Sequence, residues 1–369
     1  MAALTVGCCV ALSSSITYSQ QSKPAVDLKD PRIGRKIMVT KAGAQLRTPE
    51  ATVWKGYLGE VFTVSLTNGE WLWIQEKGGW LWEKETIPFD AAIKLLTERI
   101  EKQKTGEHYH LRGVAYLAHE QYDRAIADFT ESLRLQPRNA GALNNRGQTH
   151  YLKRAYKSAV EDYTAALGID AQNPLVLNNR ALAYIELNDI NSALSDLQEA
   201  LKLVPQYPEA LNNRGVVYQK QRKFDEAIAD FTEALKFDPK YIDALENRSF
   251  SYVQKADYAN AVADLESAMK LNPSSYEAAN DLAWILATSP DASVRNSKRA
   301  LLLAKQACEL THYKQWNTLD TLAAAYAANG QFGDAKQWLA TSLRFAPKEE
   351  KKRLQIHLDL VLAEKPVQD

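Results

Sequence analysis

Five arginines, Arg112, Arg146, Arg180, Arg214 and Arg248, recur every 34 residues, and five aspartates, Asp128, Asp162, Asp196, Asp230 and Asp264, each follow 16 residues later. A row of guanidinium groups could receive phosphate or carboxylate, whereas a guanidinium facing a carboxylate forms a two-pronged, charge-assisted hydrogen bond. The midpoints of the five pairs, residues 120, 154, 188, 222 and 256, fall in turns. Two antiparallel helices folded about such a midpoint bring the pair to the same height. The spacing therefore predicts a structural ladder of ion pairs, within a unit or to the next one, rather than an anion receptor.

A third row consists of amides. Asn145, Asn179, Asn213 and Asn247 keep the same interval, and Asn144, Asn178 and Asn212 precede three of them. Asparagine carries donors and acceptors together, so such a row can match the backbone of an extended peptide without demanding a particular side chain. It can equally bridge neighbouring units or cap local backbone. The sequence leaves both readings open.

Patterns for catalysis and metal binding are missing: there is no His-Glu-x-x-His, no phosphate-binding Gly-rich loop, no Gly-x-Ser-x-Gly and no Cys-x-x-Cys. His108 and His110 stand two apart at the entry to a helix, where they point in different directions, and no third ligand is evident. Cys308, among Leu302, Leu303 and Ala307, has the setting of a buried structural thiol. The expectation is a chain with no catalytic residue, no metal and no cofactor.

Lysine plus arginine and aspartate plus glutamate number 45 each, so no global field favours nucleic acid or an anionic membrane. Residues 1–19 differ from the rest. An apolar run over 2–12 and the serines after it read as a secretory signal peptide, cleaved after Ser19. That run is too short to cross a bilayer, which takes about 20 apolar residues. The absence of lysine or arginine ahead of it leaves a disordered cytoplasmic tail as the alternative. The first reading predicts an exported protein of the periplasm or cell envelope, with no transmembrane span in the mature chain; the second predicts a cytoplasmic one.

The elements that carry the three rows repeat with them. A small residue stands at Gly113, Gly147, Ala181, Gly215, Ser249 and Ala283, and three residues later come Tyr116, His150, Tyr184, Tyr218, Tyr252 and Leu286. Ala125, Ala159, Ala193, Ala227 and Ala261 follow, then Phe129, Tyr163, Leu197, Phe231 and Leu265. Pro137, Pro205, Pro239 and Pro273 close the units, with Ala171 as the exception. Each unit holds two apolar runs at helical spacing around a turn such as His119-Glu120-Gln121. Small residues let the two helices approach, aromatic residues are expected to fill the space between units, and proline ends the second helix by lacking a backbone donor. One hairpin cannot bury its apolar face alone, so the units must stack.

This pattern resembles the tetratricopeptide repeat (TPR). The units run 106–139, 140–173, 174–207, 208–241, 242–275, 276–315, whose turn is five residues longer, and 316–349. A half-repeat helix over 90–105, with Asp90 as its N-cap, precedes them, and a capping helix and tail occupy 350–369. After a linker at 20–31, residues 32–89 are a different object. About five short strands, with a turn at Thr67-Asn68-Gly69-Glu70 between runs 61–66 and 71–74, resemble a small bacterial SH3-like barrel. Trp54, Trp71, Trp73, Trp80 and Trp82 lie there, and strand alternation means that not all of them can face inward. They either pack the barrel or form an exposed aromatic groove for peptide or glycan.

The fold expected is mostly α: a TPR α-solenoid of about seven hairpins with a half-repeat and a capping helix, preceded by a small all-β SH3-like barrel. The resemblance implies that the first helices line a concave groove. The asparagine row is similar to the ladder in the superhelix of O-linked glycosyltransferases, whose catalytic domain has no counterpart here. The lysine and arginine set of the family's chaperone-tail clamp is replaced by His110, Val114, Asn179, Glu209 and Asn213, which argues against a C-terminal carboxylate ligand. The function implied is a non-catalytic scaffold binding a peptide or partner protein. The alternative is a cell-envelope module whose barrel binds cell-wall glycan or peptide while the repeats recruit a partner.

Overall fold

A computed structural model describes residues 30–41, 44–48, 51–55 and 59–367; the expected leader, nearly all of the linker and the side chain of Trp54 lie outside the described residues. The chain forms two compact units, divided between Leu203 and Val204.

The first unit opens with eight described strands, not five: β1 (Lys36–Val39), β2 (Gln45–Arg47), β3 (Thr52–Lys55), β4 (Val61–Thr63), β5 (Leu66–Asn68), β6 (Trp71–Ile74), β7 (Gly79–Trp82) and β8 (Thr86–Pro88). They make a sheet ordered β4-β1-β8 and another ordered β3-β2-β7-β6-β5. The run 61–66 is not one strand. Phe62 pairs with Ile37 in one sheet and Leu66 with Trp73 in the other, and the backbone changes sheet at Val64-Ser65. Val64 N–H donates to Arg35, and Ser65 N–H to Trp73. Because Asn68 pairs with Trp71, the hairpin turn is Gly69-Glu70, with Gly69 at φ 58°. Ile37, Val39, Ala44, Leu46, Phe62, Val64, Leu72, Ile74 and Leu81 form the core.

A second apolar cluster joins this β region to the first helices. Met38 and Ile87 pack with Ala92 and Leu96 of α1 (Ala92–Lys102) and with Leu111 and Ala115 of α2 (Gly106–Ala118). Asp90 does not cap α1. A 3-10 turn over Phe89–Ala91 leads into the helix, so the N-cap position falls on Ala91 and Asp90 lies inside the turn. The unit continues with α3 (Tyr122–Leu135), α4 (Ala140–Leu152), α5 (Tyr156–Leu167), α6 (Pro174–Glu186) and α7 (Ile190–Leu203). The second unit holds α8 (Pro208–Lys220), α9 (Phe224–Phe237), α10 (Ile242–Gln254), α11 (Tyr258–Leu271), α12 (Tyr276–Thr288), α13 (Ser297–Leu310), α14 (Trp316–Ala328), α15 (Phe332–Phe345) and α16 (Lys351–Leu362).

Local chemistry sets the helix ends. Thr105, Asn139, Asn173 and Ser275 accept a backbone N–H from the first turn of the helices they cap. Pro174 and Pro208 stand in the first turn, where a missing N–H removes no helical bond. Within hairpins, ring and small residue are matched. A Cβ added at Gly113, Gly147 or Gly215 would come within 2.5–2.8 Å of the ring of Phe129, Tyr163 or Phe231. Where Leu197, Leu265 and Leu339 replace the ring, the small residue is Ala181, Ser249 and Ala323. These rings thus pack inside their own hairpin, a correction to the expectation that they fill the space between units. Among the described residues, no helix is long and apolar enough to cross a membrane.

Candidate functional site

Each arginine of the ladder is held by an aspartate of its own hairpin, and all but Arg214 also by a threonine. Arg180 donates from Nε and Nη2 to the two carboxylate oxygens of Asp196, at 2.7 and 2.8 Å, and from Nη1 to Thr164 Oγ1 of the preceding hairpin at 3.1 Å. Arg112–Asp128, Arg146–Asp162, Arg214–Asp230 and Arg248–Asp264 have the same two-pronged geometry. Arg112, Arg146 and Arg248 likewise donate to Thr97, Thr130 and Thr232. The Tyr116, Tyr184, Tyr218 and Tyr252 rings lie 5.7–6.0 Å from the guanidinium carbons of Arg112, Arg180, Arg214 and Arg248. All five aspartates are buried, and their hydrogen bonds raise the pKa of Arg112, Arg180, Arg214 and Arg248. Guanidinium groups committed in this way do not form an anion receptor. The threonines went unread in the sequence, although Thr130, Thr164 and Thr232 fall on the 34-residue interval or twice it.

The amides form rungs between successive first helices. Asn179 Nδ2 donates to Asn144 Oδ1 at 3.1 Å, and Asn247 Nδ2 to Asn212 Oδ1 at 3.0 Å, each across 35 residues. Asn145 Nδ2 meets His110 Nε2 at 3.2 Å, Asn144 donates to Asn145 at 3.4 Å, and Asn212 to Asn213 at 3.5 Å. Asn178, Asn212 and Asn213 are buried, whereas Asn144, Asn145, Asn179 and Asn247 are half-buried. At the end of the second unit the rung changes chemistry. Buried Asp320, at the asparagine position of α14, meets His357 Nδ1 of α16 at 2.9 Å.

Trp71, Trp73, Trp80 and Trp82 of the β region are not its core. Trp71 pairs with Trp82 and Trp73 with Trp80, while Leu72, Ile74 and Leu81 point inward. All four indoles therefore share the outward face. Trp73 and Trp80 meet edge to face at 5.2 Å, and Trp71 and Trp82 stack at 6.5 Å. Trp71 remains 37% exposed. Glu70 accepts from the Trp82 indole at 3.3 Å and pairs with Lys84, which lies over the Trp82 ring. Trp54 is in β3, opposite Leu46.

The histidines do not converge. His108 Nδ1 bonds the Gln103 carbonyl at 2.9 Å, while His110 is buried against Asn145 and Phe129, and burial depresses its pKa to about 4. Burial also pushes the Cys308 thiol up to about 11, and its Sγ donates to the Thr318 carbonyl at 3.3 Å. A thiol so protonated is a poor nucleophile. Among the described residues, no three His, Cys, Asp or Glu side chains gather closely enough to hold a metal.

Models of the tetratricopeptide repeat family match residues 110–174, 208–241 and 251–294, and a further TPR model matches 182–222. These are tetratricopeptide repeats. The TPR solenoid is similar in fold to a tetratricopeptide repeat protein from Parabacteroides merdae, with TM-score 0.51, 20% identity and coverage of 73% of this chain and 99% of that one. It is also similar to a chain of the APC/C hetero-tetramer Cut9–Hcn1, with TM-score 0.56, 17% identity and coverage of 64% of this chain and 46% of that one. No curated protein matches in sequence.

Proposed function

We propose that this TPR chain is a non-catalytic interaction scaffold that holds a peptide or partner-protein segment along the first helices of its repeats. The half-buried amides of Asn144, Asn145, Asn179 and Asn247 carry this reading. A side-chain amide offers four hydrogen-bonding positions, and a rung uses one or two of them. The remainder suits an extended backbone, whose donors and acceptors alternate. The test is selection of a random dodecapeptide phage library on the full chain, followed by hydrogen–deuterium exchange with a selected peptide. Protection should concentrate on first helices, on α4 and α6 of the first unit or on α8 and α10 of the second; protection confined to the second helices would overturn the reading.

A second reading rests on the tryptophan face. An SH3-like β region of an exported protein could bind cell-wall glycan or peptide, with the outward indoles, Trp71 the most exposed of them, stacking against sugar rings. The full chain would then co-sediment with insoluble peptidoglycan, and Trp71→Ala with Trp73→Ala would release it into the supernatant. Export requires a mature terminus near Gln20 outside the cytoplasm. An intact Met1 terminus in the cytosolic fraction would overturn it.

A further inference from the structure

In the second unit one rung of the amide ladder is replaced by two carboxylates. The contact made by Asn247 and Asn212 is an amide donating to an amide. One repeat further, the equivalent positions hold Glu246 and Asp281, two carboxylates that have no hydrogen to share when ionised. Each has a neutral donor: Ser275 Oγ reaches Glu246 Oε1 at 3.2 Å, and Asn280 Nδ2 reaches Asp281 Oδ1 at 3.2 Å. Neither has a lysine or arginine within ion-pair distance among the described residues.

Two further observations mark the place as unfinished. The Asn280 side chain is only 7% exposed, yet its Oδ1 has no hydrogen-bond partner, although the same amide holds Asp281 through Nδ2. Leaving such an oxygen unpaired costs about 1–3 kcal/mol. On α10, Phe250 is 51% exposed one turn after Glu246, so an aromatic ring and a carboxylate share one open helix face.

Electrostatics agrees with the geometry. Burial raises the Glu246 carboxyl to about 7, and Asp243, Asp281 and Glu277 add to the rise. Burial also raises Asp243, Asp281 and Glu209, and no neighbouring cation offsets any of them. Asp281 is nonetheless open to solvent. A rung within the same unit shows what satisfies an acid here: Asp320 is met by His357 at 2.9 Å, with Arg353 at 4.0 Å and lying over the Trp316 ring.

We infer that the Glu246–Asp281 rung receives a lysine or arginine side chain of the bound segment, with Asn280 Oδ1 accepting an N–H from the same segment and Phe250 packing on its apolar stem. This inference rests on the reading that the first helices hold a peptide, and it adds the ligand's chemistry: a basic segment. Among the described residues no third His, Cys, Asp or Glu gathers with Glu246 and Asp281, which favours a side-chain cation over a metal ion.

The probe is the random dodecapeptide phage library, selected in parallel on the full chain and on Glu246→Gln/Asp281→Asn. The variant restores an amide rung, so its melting temperature should equal or exceed that of the parent. Peptides selected on the parent should carry Lys or Arg at one aligned position. A synthetic selected peptide should bind the variant at least tenfold more weakly. Citrulline or norleucine in place of the basic residue should cause the same loss on the parent and little further loss on the variant. Peptides without an aligned basic residue, or with equal affinity for both proteins, overturn this inference and leave the peptide reading standing. Recovery of no peptide overturns both. Should the double variant fail to fold, Asp281→Asn alone, whose amide can donate to Glu246, gives the same comparison.

Discussion

In the hairpin of α6 and α7, Arg180 and Asp196 meet through two short hydrogen bonds, and the same positions are ionic in every repeat from 106–139 to 242–275. In the next two hairpins they hold Leu282 with Leu303, and Leu322 with Trp338; the three leucines are buried and Trp338 is partly so. One backbone arrangement thus tolerates either a guanidinium–carboxylate pair or an apolar one. A buried ion pair is a weak source of net stability, because desolvation offsets most of its attraction. The ionic version adds directionality. Arg180 also bonds Thr164 of the preceding hairpin, so it fixes which neighbour sits there and at what height. Leucine carries no such instruction. The leucine hairpins are those nearest the lengthened turn and the capping helix, where the 34-residue interval is lost.

The largest expected effect comes from breaking a pair on one side. Asp196→Ala should lower unfolding free energy by about 3–5 kcal/mol, since it strands a guanidinium at a buried contact. Arg180→Ala with Asp196→Ala should cost less than the two single changes summed, whereas additive effects in a denaturant cycle would show the pair to be uncoupled. Next comes the ring-and-glycine match. Gly215→Ala places a Cβ 2.5 Å from the Phe231 ring and should cost about 1–3 kcal/mol. Adding Phe231→Leu, which copies the Ala181–Leu197 pairing, should recover part of that in a thermal melt. Exchanging the ionic pair for the apolar one, Arg180→Leu with Asp196→Leu, should fall within about 1 kcal/mol of the parent. A loss comparable to Asp196→Ala would show that the leucine hairpins depend on their own surroundings.

Smaller still is a backbone change. Arg154, Asn188, Arg222 and Ala256 occupy the turn at φ 57–61°, where the last hairpin has Gly330 at φ 74°. Ala256→Gly should stabilise by about 0.5 kcal/mol, the gain at positive φ being partly offset by a more flexible unfolded chain. The rungs differ in pH response as well. Glu246 is raised to about 7 in the folded chain, so folding holds its proton more tightly than unfolding does. Stability should therefore fall as pH rises from about 4.5 to about 7, and Glu246→Gln should flatten that slope in melts across the same window. A slope unchanged by Glu246→Gln would assign the effect to Asp243, Asp281 or Glu209.

The sequence made the hairpins and the ion pairs legible for one geometric reason: a helical hairpin is symmetric about its turn, so a separation centred on residue 188 reports spatial adjacency of Arg180 and Asp196. Contacts between hairpins lack such a centre. The Thr164–Arg180 bond and the Asn144–Asn179 rung join different repeats, and only the packed neighbours reveal them. The outward tryptophan face was half legible. Trp71 and Trp73 share parity within one strand, as Trp80 and Trp82 do in the next, but the register that unites the two pairs appears only in the folded sheet. The split of 61–66 between two sheets leaves no trace in an apolar run that continues through Val64.

Arg146 bonds Thr130 and Arg180 bonds Thr164, each across 16 residues, so two successive joints of the array are chemically the same. Excising residues 140–173 would bring Arg180 up to Thr130 with the spacing intact, and inserting a second copy would create another such joint without inventing a contact. Genetic gain or loss of a whole 34-residue segment is therefore nearly silent at the seams of this stretch, whereas a single codon added between Thr130 and Arg146 changes the spacing of that one seam and leaves the later ones in step.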